Sequence, residues 1–187
     1  EGPLLFVLQV DLARVTDLDL EGLLPSTGLL SVFSDRWAGD VRILHVDDDT
    51  PVRRRTWVPS LRGPFVACGV DILAELQPPP PHSLFLDAPS SRVVLTSDED
   101  DAYFDRVWGP WRDAFRPGPA GSCGIHQLLG YAFAEREEAQ ALDEEVVVGF
   151  DSDDRAGIEW GDVHCVWTFL SREALRARRW DLLRAEM

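Results

Sequence analysis

Five carboxylates fall within twelve residues near the carboxyl end of this chain: Asp151, Asp153, Asp154, Glu159 and Asp162. Arg155 is the one cation among them. Two like charges about 4 Å apart repel by roughly 1 kcal/mol in water and roughly 4 kcal/mol at an effective dielectric near 20, so a compact cluster needs compensation. Backbone N–H groups, Arg155 or a bound cation would each supply it. Read as a calcium loop, the segment puts Asp151, Asp153 and Asp162 at the first, third and twelfth positions. Arg155 then takes the fifth and Ala156 stands where the sixth requires Gly, which argues against an EF-hand. A looser divalent-cation site on Asp151, Asp153 and Asp162 is one reading; a loop held by Asx turns and Arg155 is the plainer one.

The histidines are His45, His82, His126 and His164, and none has the HExxH spacing of a metalloprotease. Cys123 and Ser122 lack a nucleophile-elbow context. Cys123 lies three residues before His126, but catalytic thiol and imidazole partners usually meet across a fold rather than along the chain. His126 is the best single candidate, since its loop follows flexible glycines and could be brought to face Asp151 or Asp162. The plainer alternative is an imidazole that bonds backbone and fixes its own loop. Gly130 suits a positive φ, and Tyr131 is expected to pack with its hydroxyl at the surface.

The elements that must position these groups can be read from periodicity. Val146, Val147, Val148 and Phe150 make a buried strand that Asp151, Ser152 and Asp153 end. Val163, Cys165, Trp167 and Phe169 alternate with His164, Val166, Thr168 and Leu170, predicting a second strand with one buried and one mixed face. Leu4 to Val10 reads as a strand covered on both faces and ended by Asp11. Asp17 to Leu24 reads as a turn of helix. Leu24 to Gly28 fits the LPxTG pattern, but without the apolar span and basic tail of a sortase substrate; a turn before the strand Leu29 to Phe33 is expected. Val41 to Val46 is a further strand. Arg53, Arg54 and Arg55 offset Asp47, Asp48 and Asp49. Val70 to Leu76 is a strand or short helix, and Pro78 to Pro81 an extended spacer.

Ser97 is the expected cap of an acidic helix holding Asp98, Glu99, Asp100 and Asp101 and stopped by Gly109-Pro110. Tyr103, Phe104, Val107, Trp108, Trp111 and Phe115 form an aromatic patch read first as core and second as a groove. Phe133 to Leu142 has the composition of a solvated helix. Ser171 caps a helix over Arg172 to Arg179, and Trp180 to Met187 is a closing edge strand or tail.

The 187 residues suit one domain, 1–187, with the Pro and Gly loops near 78 to 124 as a place where two lobes could meet. Net charge is −15, and every basic residue is Arg. That balance argues against nucleic acid and anionic membrane as partners and favours a basic protein or peptide, a cation, or plain solubility. Cys68, Cys123 and Cys165 are an odd set with no close pair, so neither a disulfide framework nor a zinc set is expected, and Cys165 reads as a small core residue. No signal peptide or long apolar run is present, which makes a cytoplasmic location the expectation. The early strand suggests that a segment preceding Glu1 was trimmed.

FDSDD at Phe150 to Asp154, followed by WGD at Trp160 to Asp162 and an aromatic strand, resembles the carboxyl-terminal signature of the YwqG-like family, a bacterial family without an agreed activity. HQLLGY at His126 to Tyr131, FVLQVDL at Phe6 to Leu12 and LLPSTGLLSVF at Leu23 to Phe33 match in the same order. The family usually has Gly at the position of His164 and Pro at that of Ala132. The resemblance implies an α+β fold rich in antiparallel sheet and a cytosolic bacterial setting. The candidate binding set is His126, Gln127, Tyr131, Asp151, Asp153, Asp154, Trp160 and Asp162. Two functions are expected: from the acidic charge, a non-enzymatic binding module without a cofactor, akin to a toxin-immunity partner; from the carboxylate cluster, a cation-dependent hydrolase using Asp151, Asp153 and Asp162 with His126.

Overall fold

Two antiparallel sheets carry the chain. The computed structural model describes residues 4–35, 40–51, 66–80, 96–115, 126–132, 140–141, 143–160 and 165–187. The first sheet is a meander of β1 (Leu5–Asp11), β2 (Leu29–Ser34) and β3 (Val41–Val46). The second has the order β4 (Gln127–Leu128), β5 (Glu144–Asp151), β6 (Cys165–Ser171) and β7 (Arg184–Glu186). The α+β expectation holds.

One core joins the sheets. Leu30, Val32 and Ile43 from the first, with Leu12 just past β1, meet Val148, Phe150, Val166 and Leu170 from the second. Leu175, from the short helix α3 (Arg172–Arg176), completes it; Ser171 caps α3 by accepting the Ala174 N–H at 3.1 Å. The other face of the second sheet is buried as well: Val146, Cys165, Trp167 and Phe169 pack with Ala132. On the face expected to be mixed, Val166, Thr168 and Leu170 are buried too. A register shift between Val146 and Val148 lets β5 feed both cores, sending Val146 to one and Val147 and Val148 to the other. Thr168 tolerates full burial because its hydroxyl both donates to the Val148 carbonyl at 2.8 Å and accepts the Val148 N–H at 2.9 Å.

Several expectations change. β1 is an edge strand, and Phe6 is 51% exposed, so it is not covered on both faces. Leu12–Arg14 is a 3-10 turn, whereas 17–24 holds turns and no helix. Segment 66–80, expected as strand or helix around Val70 to Leu76, runs irregularly across the second sheet's loops. The turn before β2 is as expected: Gly28 has φ +94° and lies too close to the Val46 carbonyl for any Cβ.

Thr96, one residue earlier than expected, caps the acidic helix α1 (Ser97–Tyr103), with Glu99 returning bonds to the Thr96 N–H and hydroxyl at 2.9 Å. Gly109-Pro110 does not stop it. A π-helical turn at Phe104–Trp108, with the Gly109 N–H reaching the Phe104 carbonyl, carries the chain into α2 (Gly109–Phe115). The wider turn accommodates a residue with no N–H to give. Among the described side chains of this helical run none is in either core cluster; Tyr103, Trp108 and Trp111 of the aromatic patch are half-buried, whereas Phe104 and Val107 are exposed. Cys165 is disulfide-bonded and Cys68 is free, contrary to the expectation of no disulfide; such partners meet across the fold, and their spacing along the chain does not reveal them. Arg53 to Arg55, residues 133–139 and 142, Asp162 and His164 lie outside the described residues.

Candidate functional site

Asp151 ends β5 inside the protein, 1% exposed, and its carboxylate accepts the Ser152 N–H at 2.7 Å. The chain then folds back on itself. Asp153 and Ile158 pair through Asp153 N–H to the Ile158 carbonyl at 2.8 Å and the return bond at 3.0 Å, with Gly157 at φ +68° closing the turn. One carboxylate oxygen of Asp153 accepts the Arg155 N–H at 2.8 Å, an Asx turn. Ser152 Oγ accepts the Trp160 N–H at 3.0 Å. The Trp160 ring is 1% exposed and packs edge-on to Phe150, 5.3 Å between centroids. Asp154 is exposed on the turn.

His126 meets this loop because of strand register. Gln127 pairs with Gly149, and one step outward His126 comes beside Phe150. Its Nδ1 lies 3.4 Å from the Asp151 N–H, which donates to it, so the neutral ring carries its proton on Nε2, facing Asp153 Oδ2 at 3.5 Å. Both contacts are at the long end of hydrogen bonding. Burial pushes the Asp153 carboxyl up, but the Arg155 N–H, His126 and the Ala156 N–H together hold it below the ordinary value. Arg155 Nε, 3.6 Å from Asp153 on an exposed side chain, adds little.

Gln127 and Tyr131 are held by a residue that sequence reasoning missed. Gln77 donates to the Tyr131 carbonyl at 2.8 Å and accepts the Tyr131 N–H at 3.0 Å, while Gln127 Nε2 reaches Gln77 Oε1 at 3.1 Å and the Leu129 carbonyl at 2.6 Å. These bonds hold a tight turn with Leu129 at φ +60° and Gly130 at φ +86°. A left-handed leucine is uncommon and is kept only where its surroundings over-determine it. Segment 66–80 thus straps two loops together: Val66 N–H bonds the Ala156 carbonyl at 2.9 Å at one end, and Gln77 holds the 127–131 turn at the other. Tyr103 Oη donates to the Pro79 carbonyl at 2.7 Å, tying α1 to the same strap. Burial first, then the neighbouring Tyr131 and Asp100, push the Tyr103 hydroxyl up to about 12. Nothing about Gln77 in the sequence marks it, a lone amide before a proline run and 50 residues from Gln127.

The structure therefore brings His126 to Asp151 and Asp153, ties Gln127 and Tyr131 to each other through Gln77, keeps Asp154 outside on the turn and puts Trp160 in the core. Asp162 falls outside the described residues. Among the described residues no group of three or more His, Cys, Asp or Glu is placed to hold a metal ion. The arrangement offers an imidazole hydrogen-bonded to a carboxylate, in a loop cluster whose backbone is fixed from three sides.

No curated protein matches the sequence. One family model matches it, over residues 1–187, and on that match the chain belongs to the family described as a domain of unknown function, DUF1963.

Proposed function

We propose that this protein is a non-enzymatic binding module whose acidic surface receives a basic protein or peptide, an immunity-like partnership with a basic toxin being one form of it. The observation that carries this reading is a contrast between carboxylates. Asp151 and Asp153 are engaged by N–H groups of their own loop, and Asp153 also by His126. Asp98, Asp101 and Asp105 instead stand exposed on the helical run without an ion pair among the described residues. In a chain of net charge −15, uncompensated exposed acids of this kind attract cationic surfaces. Partners that co-purify, are basic and dissociate as salt rises support this reading. Partners that are uniformly acidic, or binding indifferent to salt, defeat it.

The contact of His126 with Asp153 favours a second reading, a cation-dependent hydrolase in which Asp151, Asp153 and Asp162 hold the metal. A cation present at about 100 times its dissociation constant adds about 2.7 kcal/mol, raising the melting midpoint of a domain this size by roughly 5–10 °C. A melting scan with calcium, magnesium, manganese and zinc that shows no shift removes this reading.

Membership of the YwqG-like family and a bacterial cytoplasmic setting belong to the same proposal and rest on the sequence resemblance. No described helix is long and apolar enough to cross a membrane. The disulfide at Cys165 bears on the setting, since reducing compartments keep thiols reduced. Acid-quenched alkylation of cells that labels Cys165 supports a cytoplasmic location; a Cys165 blocked until reduction argues for an oxidising compartment.

A further inference from the structure

The run from Ser97 to Phe115 is about 28 Å of helix at 1.5 Å per residue, and none of its described side chains is in either core cluster. Its exposed side carries Asp98, Asp101 and Asp105 together with two apolar side chains between and beyond them: Phe104, 39% exposed, and Val107, 44% exposed. Phe104 and Val107 are three residues apart and so neighbour each other on the helix surface, beside carboxylates without an ion pair among the described residues. The Phe104 ring is also held in place. It lies 5.4 Å from the Trp108 ring, and the Arg112 guanidinium sits 5.9 Å over Phe104 and 5.1 Å over Trp108 while bonding Asp113 at 2.9 Å. A pinned aromatic ring loses little freedom when a partner covers it, which is what a binding anchor requires. Arg106 and Arg112 are the run's two cations against six carboxylates, and Arg112 is already committed.

We infer that this face, Asp98–Asp101–Phe104–Asp105–Val107, docks a cationic amphipathic helix. Apolar side chains of the partner cover Phe104 and Val107, and flanking Lys or Arg pair with the three carboxylates and can stack on the free face of the Phe104 ring. The surface sets the occupant's chemistry: the apolar strip needs apolar cover, and the negative rim selects a positive rim. The inference rests on the binding reading above and adds to it a surface and a partner class.

The test uses the full chain and a fluorescein-labelled helical peptide of Leu and Lys at amphipathic spacing, with an all-polar basic peptide and a Leu and Glu peptide as comparisons, read by anisotropy at low and high salt. The Leu and Lys peptide is expected to bind best. Phe104→Ser with Val107→Ser should weaken it by about tenfold or more. Asp101→Asn with Asp105→Asn should weaken it and flatten its salt dependence. Asp48→Asn with Asp49→Asn, on the β3 turn, should leave it unchanged. Should the serine variant lose helicity by circular dichroism, the asparagine variant decides, since those carboxylates make no contact the fold relies on. Unaltered binding in both helix variants, equal loss in the β3-turn variant, or equal binding of the Leu and Glu peptide overturns this surface while leaving the broader binding reading in place. A wild-type protein that binds neither basic peptide removes both.

Discussion

Asp153 is the residue on which the loop cluster turns, and its carboxyl is held below the ordinary value despite partial burial. A carboxyl depressed in the folded state stabilises it fully above the unfolded value, near 3.9, and loses that contribution as pH falls toward the folded one. Asp153→Asn should therefore lower stability at neutral pH and flatten the fall in stability below about pH 4; urea unfolding across a pH series measures both. An asparagine can still accept the Arg155 N–H, so the turn itself should persist. Gly149 makes a different residue-scale claim. A Cβ there would lie 2.3 Å from Trp167 Cζ3, within a ring stacked on the strand, and Gly149→Ala should cost about 1–3 kcal/mol by overpacking. Thermal unfolding checks it, and Val166→Ile on the opposite face is a suitable reference for ordinary core tolerance.

Elements were legible in proportion to how local their causes are. β3 and the buried run of β5 follow from β-branched and apolar patterning bounded by turn residues, and β6 from its alternation. The acidic helix was legible from its first-turn carboxylates, yet Thr96 rather than Ser97 caps it, because the capping box requires Glu three residues on, and Glu99 satisfies that only from Thr96. Thr96→Ala should cost about 1 kcal/mol and lower the melting midpoint by about 2–4 °C if the helix unfolds with the rest; loss of helicity with an unchanged midpoint would show that it melts alone. The proline that ought to have ended this helix is absorbed by the π-helical turn, an outcome that depends on backbone strain over several residues and has no residue-level marker.

Across the whole molecule, distant segments are joined by polar contacts that no local pattern announces. Glu145 is buried on β5, and burial pushes its carboxyl up while Arg172, at 2.5 Å, draws it down; Arg172 also bonds Glu21 at 2.6 Å, joining the two sheets' loops. Arg172→Gln should leave Glu145 poorly paired and cost about 1–3 kcal/mol at neutral pH. A carboxyl raised in the folded state gives stability that fades as pH rises, so this cost should shrink below about pH 4, where Glu145 is protonated in both states. Stability of the variant at two pH values tests it.

The chain by itself determined the main strands, an acidic charge balance and the loops that hold His126 and Asp153, because each arises from neighbouring residues or from composition; the α+β class came from the family resemblance. Tertiary structure alone decided that His126 faces Asp153, that Gln77 holds Tyr131, that both faces of β6 are buried and that Cys165 is oxidised. The reason is physical: side-chain chemistry and short-range sterics act along the chain, whereas strand register and sheet packing choose which distant loops share a few ångströms, and the sequence carries that choice only as the sum of many small burial energies.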